Sequence, residues 1–130
     1  MAIAGWALRR WRPQIVVRLS LAAGRRTRRL VADSGAGSDR SEFDIVLDDR
    51  DCVASGGILV GQALLSGAYS GWFNVYSISV AIPAMSFRAD IKAAGVDHVP
   101  HGFDGIASFK FLNRFHYGNF GDRNRFGLKS

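Results

Sequence analysis

Acidic residues are missing from the first quarter of the chain, charge of either sign is missing from a later stretch, and cysteine is nearly absent. No acidic residue precedes Asp33, and no charged residue lies between Cys52 and Phe87. The single cysteine excludes an internal disulfide and a cysteine-rich zinc site, and it favours a reducing compartment, so we expect a cytoplasmic protein. Polar residues and glycines interrupt the uncharged stretch every few residues, so no run of about 18 apolar residues exists to span a membrane.

The rest of the composition is typical of one globular domain. Hydrophobic residues make up 48% of the 130 residues and charged residues 22%, which is enough apolar material for a real core. The net charge is +6, and eight arginines precede Asp33. We expect residues 1–12 to be a basic, frayed leader before a domain over 13–130. In that leader Trp6, Trp11 and the arginines are also of the type that contacts anionic membranes or nucleic acids.

Apolar residues that alternate with polar ones predict a mostly β protein. Val17, Leu19 and Leu21 alternate with Arg18 and Ser20, and a turn at Gly24 leads back into a second strand, which predicts a hairpin over 14–33. Further strands are predicted over 43–47, 58–65 and 72–82, with an acidic loop over 48–51. Residues 87–94 form a strand or short helix that Gly95 ends, 109–115 permit a short helix, and any terminal strand is brief.

A short motif follows the predicted hairpin directly. The strand Leu30-Val31-Ala32 ends in Asp33-Ser34-Gly35, and the small residue Ala36 comes next. This segment resembles the active-site motif of the aspartic proteases, and in particular of the retroviral-type (retropepsin-like) branch. The resemblance covers about residues 13–117: the hairpin before the motif, a glycine-punctuated stretch in the place of the substrate-covering flap, and a later element over 105–115. It departs from the family at Ser108, where glycine is usual, and at Phe109, where arginine is frequent.

The resemblance implies an all-β acid protease barrel with one short helix in its C-terminal part. It makes Asp33 the catalytic carboxylate, Ser34 a hydrogen-bonding brace and Gly35 a spacer that admits backbone N–H groups to the carboxylate. The flap is expected within residues 56–72, with its tip near 67–71. Weaker substrate-binding candidates are Ala36, Gly67, Ala68 and Tyr69. The chemistry requires no cofactor and no metal.

The number of motifs predicts the assembly. An aspartic protease uses two carboxylates that share one proton, and the ionised member activates water while the protonated member hydrogen-bonds the scissile carbonyl. This chain has one Asp-Ser-Gly and so provides half of such a pair. We therefore expect a homodimer with the active site on its two-fold axis and a peptide or protein as substrate.

The same residues are compatible with other functions. An inactive retropepsin-like binding module is one alternative, and a basic nucleic-acid-binding domain, using the arginines and the aromatic tail, is another, although nucleic acid is not the expected partner. Pro100 and Gly102 disfavour a helix that would align His98 with His101 on a metal. Cys52 is expected to be an unreactive, buried or partly exposed thiol. For the four acidic residues Asp44, Asp48, Asp49 and Asp51, a solvated acidic loop is favoured over a calcium site.

Overall fold

Strands dominate the computed structural model, which describes residues 2–130, and helix is scarce, so the all-β prediction is confirmed. The ten strands are β1 (Ile3–Ala7), β2 (Gln14–Leu21), β3 (Gly24–Ala32), β4 (Ile45–Asp48), β5 (Ile58–Leu65), β6 (Gly71–Ile82), β7 (Phe87–Val96), β8 (Gly105–Ala107), β9 (His116–Gly118) and β10 (Arg125–Lys129). The helices are α1 (Asp49–Ala54), α2 (Phe109–Leu112) and a 3₁₀ turn (Pro83–Met85).

Six of the strands close into a barrel in the order β2-β3-β8-β4-β7-β6. A short antiparallel pairing of β2 with β6, Arg18 with Ala81 and Leu19 with Val80, closes the ring. The pairs β3–β8 and β4–β7 are parallel, and the other neighbours in the barrel are antiparallel. β5 pairs with β6 outside the ring, so the β5–β6 hairpin extends from the barrel wall.

Two clusters of buried residues hold this arrangement together. The larger one fills the barrel with alternate residues of β2, namely Ile15, Val17 and Leu19, and with Phe111 of α2, which is fully buried. The smaller cluster joins Val46, Ala94 and Val96 on the barrel wall to buried residues of the β5–β6 hairpin. Because successive side chains of a strand point to opposite faces, the strands of the barrel wall bury one set of side chains inside the barrel and the other set beneath the β5–β6 hairpin.

The N-terminal segment differs from the expected frayed leader. Residues Ile3–Ala7 form β1, which pairs with β10 along its whole length, from Ile3 opposite Lys129 to Ala7 opposite Arg125. β9 lies on the other side of β10 and completes a second sheet of three strands. The partner strand comes from the opposite end of the chain, and no local pattern in residues 1–12 could indicate that pairing.

The acidic loop predicted over 48–51 is instead the start of α1, so the fold has a second α-helix. The Asp48 carboxylate accepts the Arg50 N–H at 2.9 Å as an N-cap, and Asp49 and Asp51 stand in the first turn, where the helix dipole favours acids. Asp51 is buried, and both of its oxygens accept hydrogen bonds from the Arg28 guanidinium at 2.6 Å. None of the helices within residues 2–130 is long and apolar enough to cross a membrane.

Gly95 does not end its strand, because β7 continues through it to Val96. A Cβ at this position would overlap the Asp49 carboxylate and lie 3.0 Å from Cε2 of Tyr76. The Tyr76 hydroxyl donates to that same carboxylate at 2.8 Å, so the glycine makes room for a packed contact between α1 and the barrel. Glycine at this position allows α1 to approach the strand closely, and the interpretation of Gly95 as a strand breaker was wrong.

The lone thiol is fully buried, which agrees with the unreactive cysteine expected from the sequence. Burial, assisted by the neighbouring carboxylates Asp49 and Asp51, raises the pKa of Cys52 from 9.0 to about 12. We expect disulfide reagents near pH 8 to modify the folded protein about a thousandfold more slowly than the unfolded protein, since the thiolate is the reactive form. The folded state holds the thiol proton more tightly than the unfolded state does. The contribution of Cys52 to the free energy of unfolding is therefore complete below about pH 9 and is lost as the pH rises toward about 12.

Stopped-flow kinetics of thiol modification, with and without denaturant, measure this difference. Rapid stoichiometric modification of Cys52 under native conditions would contradict it.

Candidate active site

The loop that follows β3 is fixed to β8 and α2 by backbone hydrogen bonds. The Asp33 N–H donates to the Ala107 carbonyl at 3.0 Å, and the Ala36 N–H donates to the Asp33 carbonyl at 3.1 Å. The Ala36 carbonyl in turn accepts the Phe109 N–H at 2.9 Å. The Asp-Ser-Gly turn is therefore positioned by the same element over 105–115 that the sequence associated with it.

Asp33 is half-buried, and its carboxylate accepts one backbone hydrogen bond. Its Oδ1 atom accepts the Gly35 N–H at 3.0 Å, and the structure gives Oδ2 no hydrogen-bond donor from residues 2–130. A Cβ at position 35 would lie 3.3 Å from Oδ1, closer than nearly all real Cβ contacts. Glycine at this position thus allows the backbone to approach the carboxylate.

A cleft of about 430 Å³ lies between this loop and the turn of the β5–β6 hairpin. Asp33, Gly35 and Ala36 line one side, and the residues from the hairpin are Leu64, Leu65, Ser66, Gly67 and Tyr69. Five of the seven residues selected from the sequence therefore meet in one cleft. Ser34 is exposed and Ala68 is at the hairpin turn, and neither lines the cleft.

The β5–β6 turn over 66–70 falls within the stretch in which a flap was expected. Gly67 and Gly71 have positive φ angles of 73° and 114°, which glycine adopts without strain. Tyr69 is buried, with its ring edge-on to Phe73 at 6.1 Å and tilted over His98 at 4.8 Å. Burial raises the pKa of the Tyr69 phenol. These contacts hold the turn against the barrel wall on one side of the cleft.

Apolar residues of β4 and β8 complete the lining, and the sequence did not single them out. Val46 and Ile106 are cross-strand partners, and together with Phe43 they line the cleft. That each of them lies in an apolar strand segment was readable, but Val46 stands between the equally buried Ile45 and Leu47, so no alternation marks the face that it presents. Their meeting was not readable, because β8 inserts between β3 and β4 from far along the chain.

Asp44 is a buried residue that hydrogen-bonds to the elements around the candidate site, so its assignment to a solvated acidic loop was wrong. Its side chain is buried: Oδ2 accepts the Lys92 N–H at 3.0 Å, and Oδ1 accepts the Arg114 guanidinium at 3.2 Å. The Asp44 carbonyl accepts the Ser108 hydroxyl at 2.6 Å and the Ser108 N–H at 3.1 Å. Ser108, the residue that departs from the family pattern, is thus a fully buried tie between the start of β4 and the start of α2. The signal in the sequence that could have indicated this burial is the position of Asp44 directly before the apolar run of β4.

A second cleft, of about 450 Å³, lies near α1 and contains charges of both signs. Asp48 accepts from Arg50 at 3.0 Å, an exposed contact that lowers the pKa of the Asp48 carboxyl, and Arg28 holds Asp51. The hydrogen bonds to Asp51 raise the pKa of Arg28. The charged groups of this cleft thus neutralise one another.

The histidines do not assemble a metal site in the part of the chain that the structure describes. No group of three or more histidine, cysteine or acidic side chains within residues 2–130 is arranged to hold a metal ion. His98 is exposed and contacts the neighbouring Asp97 carboxylate at 2.7 Å.

Comparison of the chain with models of known families, with curated proteins and with solved structures gives no match.

Proposed function

We propose that the protein is an aspartic endopeptidase of the retroviral type that is active as a homodimer. The observation that carries this proposal is the cleft in which Asp33 faces the turn of the β5–β6 hairpin. A half-buried carboxylate, held by a backbone N–H and opposite a glycine-containing hairpin, is the arrangement that aspartic hydrolysis of a peptide requires of each subunit.

The reaction needs two such carboxylates in contact. Asp33 of one protomer and Asp33 of the partner subunit would share one proton, because two like charges at such a distance cannot both remain ionised. The ionised carboxylate takes a proton from a water molecule as that water attacks the scissile carbonyl, and the protonated carboxylate gives its proton to the carbonyl oxygen. The C–N bond of the tetrahedral intermediate then breaks as the first carboxyl group passes its proton to the leaving nitrogen and the second takes a proton back from the hydroxyl that becomes the new carbonyl. Ser34, exposed beside Asp33, is free to hydrogen-bond across the two-fold axis.

The lining of the cleft agrees with an extended peptide that presents apolar side chains. Phe43, Val46, Leu64 and Ile106 surround the carboxylate with apolar surface, and the only charged residue in the lining is Asp33. Ordinary peptide recognition in such a cleft combines backbone hydrogen bonds with pockets for alternate side chains. The hairpin turn, with glycines at positions 67 and 71, supplies the covering element.

A mixed peptide library tests the activity, with the wild-type protein incubated between about pH 4 and 7, the range expected for carboxylates that share a proton. Mass spectrometry of the products should reveal internal cleavage sites, and pepstatin, which mimics the tetrahedral transition state, should abolish cleavage. Cleavage that pepstatin leaves unchanged would contradict the mechanism. No cleavage combined with saturable peptide binding in the cleft would favour the inactive binding module instead.

A further inference from the structure

The segment before β2 forms a tight turn with a tryptophan at its tip. Arg9 and Arg12 exchange backbone hydrogen bonds at 3.0 and 2.9 Å, and the two residues between them, Arg10 and Trp11, both have positive φ, 50° and 63°. Left-handed backbone at two consecutive residues that are not glycine is unfavourable. The Trp11 side chain gains no burial in return, because the residue is 92% exposed.

The turn is anchored to the barrel by the segment before β8. The Arg9 guanidinium donates to the Gly102 carbonyl at 2.6 Å, and the Arg12 guanidinium lies 5.6 Å from the Phe103 ring centre. The next residue, Asp104, accepts the Arg29 N–H from β3 at 2.8 Å. Trp11 is therefore presented on a fixed support that connects to the β2–β3 hairpin.

Arginines cover the outer face of that hairpin. Residues of β2 that point into the barrel alternate with Val16, Arg18 and Ser20, which face outward. Their cross-strand partners on β3 are Arg29, Thr27 and Arg25, which share this face.

Most arginines of this region form no ion pair within residues 2–130. Among residues 2–130, ion pairs form at Arg28, Arg50, His98 and Arg114. Within residues 2–130, Arg28 is the only one of the eight arginines before Asp33 whose guanidinium has a carboxylate oxygen within 4.0 Å. Of the other seven, Arg26 lines the cleft near α1. The arginine surface is defined as Trp11 with the remaining six, which are Arg9, Arg10 and Arg12 of the turn and Arg18, Arg25 and Arg29 of the outer hairpin face.

We propose that this arginine surface docks on the anionic headgroups of a lipid bilayer, with the Trp11 ring inserted at the headgroup level. Tryptophan prefers the membrane interface, and unpaired arginines near an anionic leaflet are attracted to it. Nucleic acid fits less well, because proteins that bind single strands on a sheet stack bases on aromatic rings of the sheet face. Here the outer face carries Val16, Ser20 and Thr27 between its arginines. Trp11 is the one exposed ring of this surface within residues 2–130, and a single ring on a turn can enter a bilayer interface but cannot support successive bases.

Vesicle co-sedimentation of the full chain tests the proposal, with phosphatidylcholine vesicles that contain about a third phosphatidylserine and with pure phosphatidylcholine vesicles. Binding is expected only to the anionic vesicles and should weaken with salt. Each of Arg18→Gln, Arg25→Gln and Arg29→Gln should weaken it about fivefold. Trp11→Ala should weaken it about tenfold or more, because the ring loses its contact with the interface.

Matched controls lie elsewhere on the surface. Trp72→Ala removes another exposed tryptophan, which is 64% exposed, and Arg123→Gln removes an exposed arginine, so both should bind as the wild type does. Trp11→Gly removes the ring and also relieves the positive φ, so it should lose binding while its melting temperature stays the same or rises.

Three results would overturn the proposal. They are failure to bind anionic vesicles, equal binding to neutral vesicles, and an effect of Trp72→Ala as large as that of Trp11→Ala. A different result would assign the surface to nucleic acid: the protein binds single-stranded DNA more tightly than vesicles at the same salt concentration, and Trp11→Ala does not change that DNA binding. The proposal does not depend on peptidase activity.

Discussion

Replacing Asp33 with asparagine is expected to lower peptide cleavage by about 10²- to 10⁴-fold or more while the fold persists. An asparagine amide can neither take a proton from water nor share one with a second carboxylate. The fold should tolerate the change because the asparagine carbonyl can still accept the Gly35 N–H, the only hydrogen bond that the structure gives the Asp33 side chain within residues 2–130. Initial rates on a peptide selected from the library measure the loss, and circular dichroism reports the fold.

The same loop offers a matched control, Asp39→Asn. Asp39 is exposed, lies outside the cleft, and its side chain makes one long contact, 3.4 Å to the Asn113 amide. This variant loses the same charge from the same loop and should keep nearly all of the activity. If the Asp33→Asn protein is folded and retains more than about a tenth of the wild-type rate, Asp33 is not the catalytic carboxylate.

Replacing Gly105 with alanine is expected to destabilise the protein by about 3 kcal/mol or more, at the upper end of what overpacking costs. Gly105 is buried in β8, and a Cβ there would overlap the Val46 carbonyl oxygen and come within 3.0 Å of the Leu30 side chain. The carbonyl belongs to the neighbouring barrel strand and cannot rotate away as a flexible side chain could. The melting temperature should fall by about 10 °C or more.

The control for this substitution is Gly61→Ala in β5. Apart from Gly61 and its two chain neighbours, no heavy atom of residues 2–130 lies within 4 Å of a Cβ built at Gly61, and its φ is not positive, so the stability should change little. β8 also provides the Ala107 carbonyl that fixes the Asp33 backbone, so residual folded Gly105→Ala protein should be less active as well. Equal melting temperatures for Gly105→Ala and Gly61→Ala would show that the barrel is not packed as described.

The elements that the sequence predicted well are those whose signal is local. The β2–β3 hairpin alternates apolar and polar residues and turns at a glycine, and the β5–β6 hairpin likewise surrounds a turn containing Gly67. Both follow from nearest-neighbour pairing of consecutive strands. The tripeptide at 33–35 follows the first hairpin directly, so its place at a strand end was also readable.

What the sequence did not reveal depends on contacts between distant parts of the chain. β1 is a strand because β10 pairs with it, and β7 passes through Gly95 because α1 packs there. The acidic run over 48–51 became a helix start, since Asp48 caps it and Arg28 neutralises Asp51 from β3. Asp44 is buried for a similar reason, as its partners come from β7 and from beyond α2. A charge pattern alone does not indicate which acids have such partners.

Because the chain has a single Asp-Ser-Gly motif, the homodimer is the central claim of the proposed function. Wild-type and Asp33→Asn chains are mixed at constant total concentration and allowed to exchange subunits before the cleavage rate is measured. If both Asp33 carboxylates of a dimer are required, the rate falls with the square of the wild-type fraction, to about a quarter in an equal mixture. A linear decline to about a half would mean that each chain cleaves on its own, and it would contradict the shared active site.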